Sequence, residues 1–286
     1  MSGALVGKAI VVTGASMGIG FACAEELLEG GASVTLCARG EDDLSQAAGA
    51  LALRYPGKVA STRADVSNPA DVDRLFDAAQ EAHGRLDGVA HCAGVYGPIG
   101  PVTQVDPEAW FAAIRVNLLG SLLVTQRAAR EMTRSGGGSI VLMSGGGAAT
   151  PFPNYTSYAC GKVGVVRLTE TVAIELSGTG VRVNCVAPGF VLTRLHQQTL
   201  AAGPENAGNF VEATQAQIAK GGVPPQVAAR AVAFLMSDRS AKITGRFLAA
   251  PYDSYDAWPE HVTELEGSDL FTLRRIVPRD RGQDWQ

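Results

Sequence analysis

The chain has 286 residues, of which 46% are apolar; this composition supports a large core and excludes a fibrous, collagen-like or disordered protein. The 24 Lys and Arg and the 28 Asp and Glu give a net charge of −4 without a basic run, so we expect neither a nucleic-acid nor a membrane partner. The first residues lack the pattern of a targeting signal, and no 18-residue apolar stretch is evident, so we expect a cytoplasmic protein.

The spacing of cysteines and histidines shows no metal-binding or redox motif. The five cysteines are far apart and form no CxxC pair, and the four histidines show no HxxxH or HExxH spacing. We therefore predict no metal, and unpaired cysteines suit a reducing compartment. The cysteines are Cys23, Cys37, Cys92, Cys160 and Cys185.

Seven short apolar runs with many β-branched residues predict buried strands. They cover residues 8–13, 32–38, 58–63, 86–92, 138–144, 181–186 and 246–250. Segments with an apolar period of 3.6 lie between them and predict helices over residues 19–28, 43–53, 71–83, 110–132, 158–176 and 225–236. This alternation is typical of a doubly wound α/β fold, with a mostly parallel, seven-stranded sheet and helices on both faces.

A glycine-rich segment directly follows the first predicted strand and opens the first predicted helix. Residues 13–20 read Thr-Gly-Ala-Ser-Met-Gly-Ile-Gly. At such a place, backbone N–H groups and the helix dipole can bind a pyrophosphate. A tight turn without a ligand is the simpler alternative, but this spacing seldom arises by chance. We predict that a dinucleotide contacts Gly14, Ser16, Met17, Gly18, Ile19 and Gly20.

Tyr158 and Lys162 lie four residues apart in a predicted helix, and therefore on one face of it. An ammonium group near a phenol lowers the pKa of the phenol towards neutral pH, which makes a tyrosine a general acid or base. Taken alone, the pair is also compatible with a surface contact. The pair occurs in the same chain as the glycine-rich segment, and this combination favours a catalytic pair over a surface contact.

With these two motifs the chain resembles the short-chain dehydrogenase/reductase family, which are NAD(P)-dependent oxidoreductases on a Rossmann-type sheet. The resemblance extends from about residue 8 to residue 250. Further landmarks of the family follow in the same order. They are Asp65-Val66, Cys92-Ala93-Gly94 in place of Asn-Ala-Gly, Asn117, Asn184 and Pro188-Gly189.

The resemblance implies a role for each matching residue. Tyr158 would exchange a proton with the substrate oxygen, while Lys162 lowers the pKa of Tyr158 and holds the nicotinamide ribose. Asn117 would support a water relay. The family assembles as tetramers or dimers through its long helices, so we expect a homotetramer or homodimer. The implied cofactor contacts are Asp65 and Val66 at the adenine, Cys92, Ala93, Gly94, Pro188 and Gly189, and Val191 and Thr193 at the carboxamide.

One catalytic position departs from the family. The serine that orients the substrate carbonyl usually stands thirteen residues before the tyrosine, and this position is Gly145 here. Either the loop over residues 145–150 accommodates one more residue and Ser144 takes the role, or the hydroxyl is missing. We predict Ser144, because an oxygen that develops charge needs a hydrogen-bond donor. The alternative for Ser144 is a turn residue at a strand end.

The residues after the second predicted strand select between NAD and NADP. Where NAD-dependent relatives carry Asp, the chain has Ala38, followed by Arg39, and this resembles NADP-dependent members. Glu41 competes, but it fits better as an acid at a helix N-terminus. Met17 lacks the basic side chain that many NADP-dependent members place in the glycine turn. We predict that Arg39 contacts NADP(H), with NAD(H) as the alternative.

The chain divides into one catalytic domain over residues 1–253 and an extension over residues 254–286. Within the domain, the polar residues 193–223 show a weak helical pattern and are typical of a substrate lid. The arginines of the extension could bind an anionic substrate group at this or a neighbouring active site. A subunit contact or a solvated extension is the alternative. The arginines are Arg274, Arg275, Arg279 and Arg281.

The sequence thus predicts an NAD(P)-dependent enzyme that interconverts an alcohol and a ketone or aldehyde on a small-molecule substrate. The alternatives are a nicotinamide-dependent epimerase or lyase, and a non-catalytic dinucleotide-binding protein of the same fold. Amides within residues 195–222 favour a polar substrate, such as a sugar, a cyclitol or an oxoacyl compound.

Overall fold

Seven short strands form one parallel sheet in the computed structural model, which describes residues 3–285. They are β1 Ala9–Thr13, β2 Ser33–Ala38, β3 Val59–Arg63, β4 Gly88–His91, β5 Gly138–Met143, β6 Val181–Ala187 and β7 Phe247–Ala249. Their order across the sheet is β3-β2-β1-β4-β5-β6-β7. Each strand lies within its predicted run or extends it by one residue, and the doubly wound fold is confirmed. The order reverses between β1 and β4, where α/β sheets of this kind bind ligands.

Helices cover both faces of the sheet. Within residues 3–285 they are α1 Gly18–Glu29, α2 Glu41–Arg54, α3 Pro69–His83, α4 Pro107–Ile114, α5 Gly120–Ser135, α6 Thr156–Glu175, α7 Arg194–Ala207, α8 Phe210–Ala219, α9 Pro225–Met236 and α10 Val262–Glu266. Alternating residues of β1 supply the two layers of the core. Ile10 and Val12 pack with α1 and α9, while Val11 packs with α3, α5 and α6.

Side-chain caps fix where α3 and α4 begin. The Asn68 side chain accepts a hydrogen bond from the Ala70 N–H at 3.0 Å, and Asp106 accepts one from the Ala109 N–H at 3.0 Å. A proline follows each cap, at the first helical position, where its missing N–H costs nothing. The helices thus begin two and three residues before the predicted segments 71–83 and 110–132.

The long helix predicted over residues 110–132 is interrupted. A π-helical turn, Arg115–Leu119, joins α4 to α5, and π turns of this kind are frequent at functional sites. By length and composition, the combined 29 residues Pro107–Ser135 would suit a membrane span, contrary to the expectation of no such stretch. Val124, Ala128 and Met132 are buried against the sheet, and 33% of the apolar window is buried in all.

The C-terminal extension lies along β7 and the adjacent part of α6. Trp258 is buried and packs on Phe271 with ring centroids 4.5 Å apart. The Phe271 carbonyl accepts a hydrogen bond from the Phe247 N–H at 2.8 Å, and Glu170 of α6 accepts one from the Leu273 N–H at 2.6 Å. These contacts place the extension at the edge of the sheet.

One arginine of the extension is engaged within the extension itself. Arg274 forms ion pairs with Asp269 at 2.5 Å and with Asp280 at 2.7 Å. This arginine is therefore not free to bind a substrate anion, as the sequence had suggested. Arg275, Arg279 and Arg281 are exposed.

Candidate active site

The predicted glycine-rich turn connects β1 to α1 at the carboxyl edge of the sheet. Gly14 has a φ of 63°, and a Cβ there would lie 2.9 Å from the backbone of Ala93. A Cβ at Gly20 would overlap the carbonyl oxygen of Gly14. Met17 is the N-cap residue of α1, and its side chain accepts no hydrogen bond from the N–H groups of the first helical turn. Gly18 and Ile19 are the first residues of that turn. These N–H groups fit a pyrophosphate.

The predicted adenine-side residues lie at the ends of β2 and β3. Ala38 pairs with Arg63 across these strands, and the exposed Arg39 follows β2 directly. The Asp65 carboxylate accepts hydrogen bonds from the Ser67 N–H at 2.9 Å and hydroxyl at 2.7 Å. The neighbouring Val66 is buried. The structure therefore brings these residues to the carboxyl edge of the sheet that also carries the glycine turn.

The segment from Cys92 to Gly94 connects the glycine turn with the catalytic residues. The Cys92 N–H donates to the Thr13 carbonyl at 3.3 Å, and the Ala93 N–H donates to the Thr13 hydroxyl at 3.3 Å. A Cβ on Gly94 would lie 3.0 Å from Asn117 Oδ1 and 3.2 Å from Lys162 Nζ. A displacement of this segment would therefore disturb both the glycine turn and the side chains of Asn117 and Lys162.

His91 contacts the same region, and the sequence patterns did not predict this. Its imidazole is fully buried at the end of β4, with Nδ1 2.9 Å from the Thr13 hydroxyl. Burial, aided by the nearby charge of Lys162, lowers the pKa of His91 to about 3, so the ring is neutral. Sequence reasoning considered only the spacing between histidines, which carries no information about this contact.

Asn117 lies in the π-helical turn and is fully buried. Its Oδ1 accepts a hydrogen bond from the Val95 N–H at 3.0 Å, and its Nδ2 donates to the Val95 carbonyl at 2.8 Å. The side chain therefore fixes the backbone that follows Gly94. A Cβ at Gly161 would lie 2.9 Å from Asn117 Cβ, so α6 can approach this closely only with glycine there.

Tyr158 and Lys162 lie together on α6, and both are buried. Lys162 Nζ lies 5.5 Å from the centre of the Tyr158 ring and donates to the Met143 carbonyl at 2.8 Å. Burial lowers the pKa of Lys162 to about 8. Burial also raises the pKa of Tyr158, which is opposite to the direction predicted from the sequence. The phenol is therefore a neutral proton donor at neutral pH.

The structure separates Ser144 from the role predicted for it. The Ser144 hydroxyl is buried and donates to the Lys162 backbone carbonyl at 3.4 Å, within the protein rather than towards the phenol. The residue beside the phenol is Gly145, where a Cβ would overlap the Tyr158 hydroxyl. This geometry favours the alternative that the family's serine hydroxyl is missing here.

The segment after β6 faces the start of α1. Pro188 and Gly189 follow the strand; Gly189 has a φ of 77°, and a Cβ there would lie 2.5 Å from Pro251. Val191 is buried, and Thr193 caps α7. A Cβ on Gly18 would lie 3.5 Å from the Thr193 methyl group, so this segment and the glycine turn form two sides of one groove.

The predicted lid over residues 193–223 is more regular than its sequence suggested. It consists of α7, which is kinked at Gly203, and α8. The amide side chains that favoured a polar substrate take no part in the packing around Tyr158: Gln197, Gln198 and Asn209 are exposed, and Asn206 donates to the Ala202 carbonyl. The helices instead turn an apolar face inwards.

That inner face covers an aromatic cluster around Tyr158. The Tyr96 ring meets the Tyr158 ring edge-on, with centroids 4.8 Å apart, and Phe152 stacks on Tyr155 at 4.3 Å. The Tyr155 hydroxyl donates to Thr199 of α7 at 2.8 Å. Phe152, Tyr155 and Tyr158 are close in the sequence, but their packing with Tyr96 and Phe210 depends on long-range contacts that the sequence pattern did not indicate. Its members are Tyr96, Phe152, Tyr155, Tyr158 and Phe210.

The chain is similar to several known proteins. Residues 14–250 match a family model described as Enoyl-(Acyl carrier protein) reductase. The chain is 36% identical over 254 residues to a cis-4-hydroxycyclohexanecarboxylate dehydrogenase of Sinomonas cyclohexanicum, covering 87% of this chain and 97% of that protein. It is 33% identical over 242 residues to dehydrogenase/reductase SDR family member 4 of Homo sapiens, covering 84% and 85%.

Two solved structures are similar as well. A short-chain type dehydrogenase/reductase from Mycobacterium ulcerans has a TM-score of 0.73 at 31% identity, covering 87% of this chain and 89% of that chain. A levodione reductase has a TM-score of 0.78 at 26% identity, covering 90% and 99%. The chain belongs to the short-chain dehydrogenase/reductase family. It is therefore an oxidoreductase that acts on CH–OH groups with a nicotinamide cofactor.

The geometry at Gly145 predicts an unequal effect of two neighbouring substitutions. Gly145→Ala places a methyl group where the Tyr158 hydroxyl lies, and a small displacement of a catalytic group can cost about 100-fold in rate. Ser144→Ala removes only a long hydrogen bond to a carbonyl, and we expect less than about a threefold loss. Steady-state kcat of both variants, with thermal unfolding as a folding control, measures this. A larger loss in Ser144→Ala would reinstate Ser144 as the donor.

Burial of Tyr158 predicts a different pH dependence for each direction of the reaction. Oxidation of an alcohol requires the phenolate to accept a proton, and burial disfavours the phenolate. We therefore expect the oxidation rate to rise between pH 7 and 9, and the rate of ketone reduction to fall over the same range as Lys162, with a pKa of about 8, loses its charge. Initial rates in both directions over this range provide the measurement. An oxidation rate that is constant with pH would contradict a neutral Tyr158.

Proposed function

We propose that the protein interconverts a secondary alcohol and a ketone on a ring-shaped, mainly apolar substrate, with NADP(H) as the preferred cofactor. The observation that carries this proposal is the aromatic cluster around the Tyr158 hydroxyl under the inner face of α7 and α8. Aromatic walls bind flat, apolar ring faces well and offer few partners to the many hydroxyl groups of a sugar.

The proposed mechanism assigns one step to each buried group. The Tyr158 hydroxyl donates its proton to the substrate oxygen during reduction and takes a proton back during oxidation. The bound nicotinamide supplies or accepts the hydride. Lys162, fixed by the Met143 carbonyl, holds positive charge below the phenol, and Asn117 keeps the backbone at Val95 in place. The lid helices exclude water from the phenol.

A ring substrate also agrees with one of the relatives. The Sinomonas protein is named for a hydroxycyclohexane acid, a six-membered ring that carries the reacting hydroxyl. Tyr96 and Phe152 both pack against the Tyr158 ring and would offer aromatic surface to a ring of this size. The proposal therefore replaces the sugar and cyclitol classes that the amide-rich lid sequence had favoured.

The preference for NADP rests on two guanidinium groups at the ends of β2 and β3. Arg63 Nε donates to the Arg39 carbonyl at 3.0 Å, so both side chains start from adjacent positions at this edge. Glu41 lies in the first turn of α2 with two more acids, as expected for a helix N-terminus. An arginine pair suits the 2′-phosphate of NADP better than the free ribose of NAD.

We also propose that the protein is a homodimer or homotetramer. Large apolar side chains are exposed on the helices that the family uses for assembly, with Phe111 of α4 53% exposed and Ile174 of α6 77% exposed. Exposed groups of this kind are typical of a subunit interface.

Turnover of a substrate panel tests the proposed activity. The panel contains cyclohexanol, cis-4-hydroxycyclohexanecarboxylate, a cyclitol, a sugar alcohol and a 3-oxoacyl thioester. The four alcohols are assayed with the oxidised nucleotide, and the thioester is assayed with the reduced nucleotide. We expect the cyclohexane compounds to have the highest kcat/KM. Tyr158→Phe serves as the control, because it should bind nucleotide normally and lose turnover. Nucleotide binding without turnover on any compound would favour a non-catalytic protein, and turnover of the cyclitol alone would overturn the apolar assignment.

Cofactor preference is tested by a charge reversal at the adenine end. Arg39→Asp should raise the Kd for NADPH at least about tenfold and leave or lower the Kd for NADH, because one charge-assisted hydrogen bond contributes about 1.5–3 kcal/mol. Arg134→Asp is the matched control, since Arg134 is exposed near the end of α5, at the opposite end of the sheet. Fluorescence titration gives both constants. An equal effect of the two variants would exclude a specific phosphate contact.

A further inference from the structure

Two cysteines that are far apart in the sequence meet at the wall of the dinucleotide groove. Cys23 lies on α1 and is fully buried, while Cys92 follows β4 and is half-buried. Their sulfur atoms are 3.9 Å apart, which is direct contact. The other three cysteines have different surroundings: Cys160 is exposed, and Cys37 and Cys185 are buried in the core on the other face of the sheet.

We propose that Cys23 and Cys92 form a reversible disulfide under oxidation by a peroxide, and that this disulfide weakens dinucleotide binding. The inference goes beyond the proposed reaction, because neither cysteine takes part in hydride or proton transfer. It holds for NADP(H) and NAD(H) alike, since the pair lies beside the glycine turn rather than at the adenine end.

The chemistry requires two steps. Cys92 is the more accessible thiol, so its sulfur attacks the peroxide, which releases water and leaves a sulfenic acid on Cys92. The Cys23 sulfur then attacks the Cys92 sulfur, the S–O bond breaks, and a second water leaves. The two thiols lose two electrons and two protons in total, and the peroxide is reduced to water. The contact with Cys92 and burial raise the pKa of the Cys23 thiol well above its ordinary value, which disfavours Cys23 as the thiol that first meets the peroxide; its contact with Cys92 places it to attack the sulfenic acid.

Closing this bond has to move backbone that the cofactor site depends on. The sulfur atoms must approach from 3.9 Å to about 2.0 Å. Cys92 cannot move independently, because a Cβ on Gly14 would lie 3.1 Å from the Cys92 carbonyl carbon and 2.9 Å from Ala93. α1, which carries Cys23, also presents its first-turn N–H groups to the pyrophosphate. The bond would therefore draw α1 and the segment after β4 together, and the distance between these two walls sets the width of the groove.

Thermodynamic linkage makes the effect reciprocal. If the disulfide lowers the affinity for the nucleotide by some factor, bound nucleotide disfavours the disulfide by the same factor. The proposal therefore predicts that a saturating nucleotide protects the pair against oxidation.

The experiment oxidises the full-length protein with hydrogen peroxide and measures two quantities. Peptide mass mapping identifies which cysteines are linked, and fluorescence titration gives the Kd for whichever of NADPH and NADH binds more tightly. We expect a linked Cys23–Cys92 peptide, at least a tenfold higher Kd, recovery with dithiothreitol, and slower linkage in the presence of saturating nucleotide.

Two variants separate this site from general oxidation. Cys160→Ser removes the exposed cysteine and should behave as the wild type does. Cys23→Ala removes the second step, so any loss of binding that dithiothreitol reverses should disappear. The wild-type mapping with and without nucleotide provides a test that requires no variant. If Cys160 is oxidised but no link forms between Cys23 and Cys92, the proposed site is overturned. If the link forms but the Kd is unchanged, the proposed effect on binding is overturned.

Discussion

The contact between Gly14 and the backbone of Cys92 and Ala93 is the constraint on which the rest of the site depends. It brings the turn after β1 against the chain leaving β4, at the point where the strand order reverses. One side of this contact orients α1 and its free N–H groups. The other side continues through Gly94 to Asn117 and Lys162, each within reach of a hypothetical Cβ on that glycine. The dinucleotide groove and the catalytic helix are therefore parts of one continuous backbone arrangement, and a single added methyl group at Gly14 would disturb both.

Burial is the second constraint, and it affects the two catalytic side chains in the same sense. It favours the uncharged form of each group, so the pKa of Tyr158 rises while that of Lys162 falls to about 8. The aromatic cluster and the lid helices produce this burial, and they also exclude water from the phenol. The same packing that underlies the proposed apolar substrate site therefore keeps the tyrosine protonated, which suits its proposed role as proton donor to a carbonyl oxygen.

Much of this organisation could be predicted from local patterns. The strand runs, the glycine-rich turn and the spacing from Tyr158 to Lys162 are properties of neighbouring residues, and the fold follows from them. The direction in which a side chain points was not predictable: Ser144 lies one residue from the catalytic position and bonds to the Lys162 carbonyl instead. The expectation of a polar substrate rested on amides of the lid such as Gln197 and Gln198, which are exposed, whereas the residues of α7 and α8 that pack towards Tyr158 are apolar. His91 and the contact of Cys23 with Cys92 depend on long-range packing, which spacing does not encode.

The extension also determines how this sheet can meet other chains. A strand at the edge of a sheet offers unpaired N–H and carbonyl groups to any extended peptide, and proteins commonly block such edges. Here the Phe271 carbonyl takes the Phe247 N–H, and Arg246 donates to the carbonyls of Ser268 and Leu270 beside it. Two copies of the protein cannot join their sheets across β7 while this segment is in place. At this edge of the sheet, the groups that could invite strand-to-strand aggregation are covered from within the chain, while β3 forms the other edge.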